Sequence, residues 1–533
     1  MPGSALAFAN LARRHPWLSA ALASALLLVL TFVDRLAGDF VWDDVLLVQK
    51  NSSLTDPGGI WRVLGDDLWG SAGQGHTQLY HPLPMLSLWL QAHLHGVELV
   101  PLRFANVLLH GGCALAFWAL LRRLGSSLTL ASVAAALFLL HPLATEPVMW
   151  LTGRHDTLAV LFSLLALLAF PEPEAPRQRA RSALAGLACA AAFASKEPYV
   201  VIPALVALLS LIERRRPRWS QLALLWLPPL LGVLAIFVLR RWLGISTDSE
   251  QLRAPPLELL RAYASIAWHY GALSLTLQQG PTIATYHPLA PVEAGVVWLV
   301  LLGAFGALWR TLEQRAGRVA LFGLGWFALA LTPHVLSLPL LGLWGNRYGY
   351  FPLLGVCVVL AAAGHALAAQ TSAIARGAMP VLLGAEAALG LLQTRSAAQL
   401  WRDDLTLYGA SLEADPKDAR ALYHYAHALR QRSGCRAAVP LLARAAELEP
   451  SYARAQRNLA GCWIDLGRPE LAIAPAERAV ALEPLIASHH YNLGAALASS
   501  GDRARGLAEL RRALELDPGH AGARALVAQL AAP

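Results

Sequence analysis

The stretch that decides the fold of the C-terminal part runs from Glu449 to Pro484 and reads EPSYARAQRNLAGCWIDLGRPELAIAPAERAVALEP. It begins and ends on an acid followed by proline. The same dipeptide recurs upstream as Asp415-Pro416 and downstream as Asp517-Pro518, so the prolines fall at 416, 450, 484 and 518, a constant step of 34 residues. Proline lacks a backbone N–H and clashes with a preceding helical turn, so a fixed proline step marks a fixed structural step. Small residues keep the same register. Ala438 and Ala472, with Gly506 in the third unit, share one position, and Ala445, Ala479 and Ala513 share another. Leu459-Ala460 and Leu493-Gly494 repeat in the first helix of each unit. Small side chains at these places let two helices approach closely.

A 34-residue helix–turn–helix period ending in proline is the tetratricopeptide (TPR) pattern. Three full repeats fit into 419–518, preceded by a helix near 401–413 and followed by a capping helix over 520–531. Stacked repeats of this kind form a solenoid with an extended binding surface. Cys435 and Cys462 lie in this part. A disulfide between them is open if this part lies outside the cytoplasm, and their spacing carries no metal or redox signature.

Outward from the repeats the composition changes. The chain has 533 residues, 56% hydrophobic and only 15% charged, with mean hydropathy +0.45. Ordinary soluble domains carry about 25% charged residues. The deficit excludes a purely soluble enzyme and excludes disorder. It is confined to residues 1–398, which read as a polytopic membrane domain of helices, whereas 399–533 read as the water-soluble repeat domain. The expected class is therefore all-α, a membrane helical domain followed by a solenoid. A spanning helix needs about 20 mostly apolar residues. Candidates are 17–34, 102–121, 126–141, 155–171, 182–196, 198–212, 220–240, 291–310, 318–334, 348–370 and 377–394, about eleven spans. The first follows Arg13-Arg14 without a small-residue cleavage site and reads as an uncleaved membrane helix.

The net charge of +8 does not indicate nucleic acid, because no stacking aromatics accompany the arginines. They stand in short clusters between apolar segments, which is a topology signal. With Arg13-Arg14 in the cytoplasm, Arg122-Arg123, Arg177–Arg181, Arg214–Arg218, Arg310–Arg318 and Arg376 all fall on that same face. This requires 84–97, with Gln91, His93 and His95, to lie at the interface. The opposite face then collects the loops 35–101, 142–154, 196–197, 241–290 and 335–347, and an odd span count adds the repeats to it. The Ala-, Leu- and Arg-rich composition suggests a bacterium, so the expected location is the inner membrane, with that second face periplasmic.

Ionisable residues close to a membrane are costly and therefore informative. Asp43-Asp44 follow the first helix; adjacent carboxylates suit a general base or a divalent metal, and equally a solvated helix cap. His141, Glu146, Arg154, His155 and Asp156 fall within one short loop region. Lys196-Glu197 mark a tight turn, and Arg347-Tyr348 begin a membrane helix. Capping, snorkelling and an interfacial belt account for each group alone. Their gathering on one face points to a site. Arg154, Lys196 or Arg347 would meet an anionic lipid phosphate, and Asp43 or Asp44 would supply the carboxylate that a sugar transfer needs.

The chain resembles the membrane glycosyltransferases of the GT-C fold, and most closely the transmembrane-and-TPR family of protein O-mannosyltransferases and their bacterial relatives. The segments that carry the resemblance are Val41-Trp42-Asp43-Asp44 with Asn51, Tyr80-His81-Pro82-Leu83, Asn106 to His110, His141-Pro142 with Thr145-Glu146, Gly153-Arg154 with Asp156, Ser195-Lys196-Glu197, Arg347-Tyr348 with Pro352, and Trp401-Arg402-Asp403. They occur in family order along nearly the whole chain. Departures from the pattern are Ala144, His81 and Asn346.

The resemblance implies an enzyme that moves a sugar, expected to be a hexose such as mannose, from a polyprenyl-phosphate donor to a hydroxyl of a protein or other periplasmic acceptor. It places the catalytic acid at Asp43 or Asp44. His141, Glu146, Arg154, Asp156, Lys196, Glu197, Arg347 and Tyr348 become donor or acceptor contacts. The repeats would hold the acceptor polypeptide. A divalent metal, Mg or Mn, is an option that these carboxylates leave open. The competing reading is a non-catalytic membrane-anchored TPR scaffold for an envelope assembly. A transporter fits less well, because its ionisable site would lie near the bilayer midplane.

Overall fold

The computed structural model describes residues 14–66, 68–72, 79–171, 177–214, 218–242, 255–280, 284–335, 343–368 and 373–531. It divides into two compact units. One reaches to Gly280 and resumes over Tyr286–Asp403; the other comprises Pro281–Thr285 and Asp404–Pro533.

The first unit begins with α1 (Pro16–Phe32), α2 (Ile60–Gly65), α3 (Pro82–His95), α4 (Leu99–Arg123) and α5 (Leu128–Leu139). It continues through α6 (Thr145–Met149), α7 (Arg154–Ala169), α8 (Gln178–Ser195), α9 (Ile202–Ile212) and α10 (Trp219–Trp242). The remaining helices are α11 (Pro256–Thr276), α12 (Pro291–Trp309), α13 (Arg315–Leu331), α14 (Arg347–Ala368) and α15 (Ala373–Gln399). Their ends follow local chemistry. Ser127 opens α5 by accepting the Leu130 amide, and Pro142 stops it. Where α13 and α14 cross, Gly323 and Gly355 face each other so closely that a Cβ on either would meet the other's carbonyl oxygen, at 2.6 and 2.4 Å. Small residues at such crossings let helix backbones approach in a membrane.

By length and composition, four helical stretches among the described residues can cross a bilayer: Pro16–Arg35, Leu99–Arg123, Pro291–Trp309 and Arg347–Gly364. Leu128–Leu139 with Pro142–Met149 makes a fifth, bent by 56°. Of the eleven expected spans, then, four or five meet the length criterion. Glu197–Ile212, Trp219–Ala235 and Ala316–Leu331 are apolar but shorter. The α12 face is built for lipid, with Val292 81% and Leu299 72% exposed, a surface that water would not tolerate at this density. The chain reads as an integral membrane protein.

The region expected as an outer loop, 241–290, instead contains α11 over 21 residues. Glu258, Arg261 and His269 lower its hydropathy. Its Ala262, Ile266, Ala267 and Tyr270 face nevertheless packs on Val297 of α12, Phe327 and Leu331 of α13 and Tyr348 of α14. Mean hydropathy missed a helix whose apolar stripe is made of alanine and tyrosine.

The second unit begins with α16 (Asp404–Ala414) and then forms three helix pairs: α17 (Ala419–Ser433) with α18 (Cys435–Leu448), α19 (Ala453–Asp465) with α20 (Pro469–Leu482), and α21 (Ala487–Ser499) with α22 (Arg503–Leu516). α23 (Ala521–Ala531) closes the array. The small residues that set the register are fully buried: Ala438, Ala445, Ala472, Ala479 and Ala513. A Cβ on Gly494 would lie 2.7 Å from Leu510 Cγ and 2.9 Å from the Gly506 carbonyl oxygen. Asp418 opens α17 by accepting the Arg420 and Ala421 amides. A disulfide joins Cys435, at the start of α18, to Cys462 in α19.

Candidate functional site

The site is built from the loop after α1. Trp42 has φ +55°, a left-handed conformation rare for a bulky residue. It reverses the chain so that the next two residues diverge. Asp43 turns to a cavity of about 800 Å³. Asp44 turns away and is fully buried. Its carboxylate accepts the Leu151 and Thr152 amides, both at 3.0 Å, and the Thr152 hydroxyl at 2.8 Å. Asp44 therefore pins the 150–153 turn. Burial pushes its carboxyl up to about 7, against the pull of those hydrogen bonds and of Arg103.

Two buried guanidinium groups hold the same scaffold. Arg103 donates to the carbonyls of Met149 at 2.9 Å, Leu36 at 3.2 Å and Trp401 at 2.6 Å. Arg154 donates to Asn106 Oδ1 at 2.7 Å and to the Leu102 carbonyl at 2.8 Å. His141 accepts the Leu143 amide through Nδ1 and donates through Nε2 to the Ser274 carbonyl. Neither Arg154 nor His141 lines the cavity. Of the ten expected site residues, Asp44, His141 and Arg154 serve the framework. Arg103 and Asn106 do the same; Asn106 opens a quoted motif segment, whereas Arg103 was not singled out, although polar residues three apart on an apolar helix are a readable signal.

Asp43, Asp156, Lys196, Glu197, Arg347 and Tyr348 line the cavity together. They arrive from four separate stretches of chain. Lys196 Nζ donates to both Asp156 carboxylate oxygens at 2.7 Å and stands 5.3 Å from the Tyr348 ring centre. Tyr199 also donates to Asp156, at 3.3 Å. Glu146 lies behind this layer, fully buried, paired with the Arg347 guanidinium and accepting the Asn346 amide at 2.8 Å. Arg347 also lies over the rings of Trp42, Trp150 and Tyr348, at 5.4, 5.4 and 4.5 Å from their centres.

Other polar and aromatic cavity residues were not assigned a role from sequence, among them Trp150, Thr152, His81 and His155. Trp150 stacks on Trp42 with centres 5.0 Å apart and planes 20° apart. Thr152 lines the wall beside the Asp44 clamp. His81 pairs with Glu197 at 2.7 Å, and its ring meets His155 edge-on at 4.5 Å. His81 sits in a quoted motif segment, so the signal was present. The aromatic pair was not readable, because 108 positions separate its members.

Among the described residues no three His, Cys, Asp or Glu side chains gather to hold a metal ion. Asp156 binds Lys196, Glu146 binds Arg347 and Glu197 binds His81. These three carboxylates are directed at two cations and an imidazole. The cavity brings together the carboxylates of Asp43, Asp156 and Glu197, the cations Lys196 and Arg347, and the rings of Trp69, Trp150 and Tyr348.

The chain is similar to known proteins in both of its units. Residues 80–242 match the family model described as dolichyl-phosphate-mannose-protein mannosyltransferase. Residues 426–488 and 464–521 match a tetratricopeptide repeat model. A protein O-mannosyl-transferase of Caenorhabditis elegans is 30% identical over 146 residues, 26% of this chain and 21% of that protein. The Xenopus laevis protein O-mannosyl-transferase tmtc2 is 29% identical over 211 residues, 38% of this chain and 25% of its own length. Human protein O-mannosyl-transferase TMTC1 is 33% identical over 165 residues, 30% of this chain and 19% of its own. The chain thus spans a quarter or less of the curated relatives it matches. His81, Trp150, Asp156, Lys196 and Glu197 fall inside the mannosyltransferase match, and Asp43 and Arg347 outside it.

Proposed function

We propose that the first unit is a glycosyltransferase that moves a hexose such as mannose from a polyprenyl-phosphate carrier to a hydroxyl of a protein or other acceptor. The observation that carries the reading is the cavity itself. Asp43, Lys196 and Arg347 line it together, and Arg347 lies over the stacked Trp42 and Trp150. The mannosyltransferase match over 80–242 supports it.

In this reading the acceptor hydroxyl oxygen attacks the anomeric carbon while the bond from that carbon to the phosphate oxygen breaks. Asp43 takes the hydroxyl proton, a contribution of about 10²–10⁴ in rate for a positioned base. Lys196 and Arg347 face the negative charge that grows on the leaving phosphate. The Trp150 face offers the sugar ring an apolar platform. Asp44 holds the turn that carries Trp150 and Thr152, so it acts on structure and not on substrate.

The acceptor side is expected to be periplasmic, with the N-terminus cytoplasmic, in a bacterial inner membrane. The Cys435–Cys462 disulfide supports that orientation, since such bonds persist in oxidising compartments. The repeats would hold the polypeptide acceptor.

The test is intact mass analysis of periplasmic proteins from a deletion strain complemented with wild type or with Asp43→Asn. Wild type should restore a mass increment of one hexose on its acceptor, and Asp43→Asn should not, at equal membrane levels. Retention of the increment in the variant would overturn Asp43 as the base. Absence of any difference between wild type and deletion would favour the scaffold reading.

A further inference from the structure

Composition places residues 399–403 with the repeats, but they belong to the first unit. Leu400–Arg402 make one tight helical turn after α15, and Trp401 in it is fully buried. This turn is strapped to the loop after α1. Arg35 donates to Gln399 Oε1 at 2.5 Å, and Arg395 pairs with Asp34 at 2.6 Å. The Asp39 amide donates to the Arg402 carbonyl at 2.7 Å. Gly38 lies so close to that carbonyl that a Cβ would overlap its oxygen, and its φ of +149° favours glycine.

The strap is one of two fastenings of the loop that carries Asp43. Asp44 supplies the other, on the Leu151 and Thr152 amides. Asp43 lies in the run between Gly38 and Asp44. Arg103 joins the two fastenings. It donates to the Leu36 and Asp39 carbonyls of the loop at 3.2 and 3.4 Å, to Met149 at 2.9 Å beside the 150–153 turn, and to Trp401 at 2.6 Å. One fully buried guanidinium thus reaches three separate chain segments. Its donors are fixed in a plane, so those segments are held in one mutual geometry.

Chain that merely joins two domains falls as a rule in exposed, flexible linkers. Residues 399–402 have a buried tryptophan and hydrogen bonds to the first loop instead. Gly38, Arg103 and Trp401 do not line the cavity, so they meet no substrate there. Misplacement of a reacting group by about 1 Å can cost about a hundredfold in rate. A loop fastened at two points resists such a shift, whereas one fastened only at Asp44 would swing.

We propose that residues 399–402 are a positioning part of the active site: with Gly38 and Arg103 they fix Asp43 where it takes the acceptor proton. The inference rests on Asp43 as the base. It also ties the base to the segment that leads into the second unit at Asp404.

The test is a double-mutant cycle on the full chain in nanodiscs, with a polyprenyl-phosphate mannose and a short threonine peptide as substrates. Gly38→Val, which displaces the Arg402 carbonyl, should lower kcat by about ten- to a hundredfold and leave the donor KM within about twofold of wild type. Combined with Asp43→Asn it should lower kcat no further than Asp43→Asn alone, because a residue that acts through Asp43 then has nothing to position. Arg103→Lys keeps the charge but offers its donors from a single point, so it should show the same kcat loss and the same non-additivity; it serves if Gly38→Val does not fold. Losses that multiply with that of Asp43→Asn would mark a merely structural role and overturn the proposal. So would a wild-type kcat in Gly38→Val, or a donor KM that rises as far as kcat falls. Transfer at the wild-type rate by Asp43→Asn would remove the base itself, and the proposal with it.

Discussion

The two units treat charge in opposite ways. In the first, the ionisable groups around the cavity are buried and tied to one another or to backbone: Lys196 with Asp156, Arg347 with Glu146, Arg103 and Arg154 with carbonyls. In the second, pairs such as Arg444–Glu447 are exposed and one turn apart, and the interior is alanine and leucine. Where charge is scarce it is part of the framework. Where it is plentiful it lies on the surface and packing holds the fold. A substitution should therefore act through electrostatics in the first unit and through volume in the second.

The sharpest break of that contrast is at Asp43. Asp43→Asn should lower transfer by about 10²–10⁴ with no change in unfolding temperature, measured with a polyprenyl-phosphate sugar and acceptor in vitro. Next comes the pair behind the cavity. Arg347→Met leaves the Glu146 carboxylate buried without its cation and should destabilise the first unit by about 3–5 kcal/mol, read by thermal unfolding in detergent.

A pH measurement sharpens the role of Asp44. Its carboxyl is raised in the fold to about 7, from an ordinary value of 3.8. A group raised on folding stabilises while it is protonated in both states, and that contribution is lost as pH rises through the folded value. The unfolding temperature of wild type should thus fall between about pH 4 and 7 relative to that of Asp44→Asn, which cannot titrate. Parallel curves would show that Asp44 stays ionised throughout.

In the repeats, Gly494→Val should cost about 1–3 kcal/mol by overpacking against Leu510 and Gly506, seen as an earlier loss of helical signal. Arg444→Ala, which breaks only an exposed pair, should change stability by less than about 0.5 kcal/mol.

The difference between the units also decided what could be read in advance. The repeat is periodic, so Ala438, Ala472 and Ala445 declared their close packing through spacing alone. The loops that bear Asp43, Asp156, Lys196 and Arg347 could be sorted to one face by arginine distribution, and these residues do line one cavity. Which member of Asp43-Asp44 faces it could not be read, because that depends on the left-handed turn at Trp42. Arg154 looked like a phosphate ligand and is engaged by Asn106 and a carbonyl. Its fate rests on a helix some 50 residues away in sequence. Helix α11 escaped because its buried stripe is only weakly apolar.

The Cys435–Cys462 bond has a directional consequence. In a stacked array each repeat is stabilised by its neighbours, and opening starts at an end. The bond ties the second helix of the first repeat to the first helix of the second, so those two repeats can melt only as a joined block. The third repeat and α23 have no such tie among the described residues. The solenoid should unzip from its C-terminal end, and reduction of the bond should make both ends open alike.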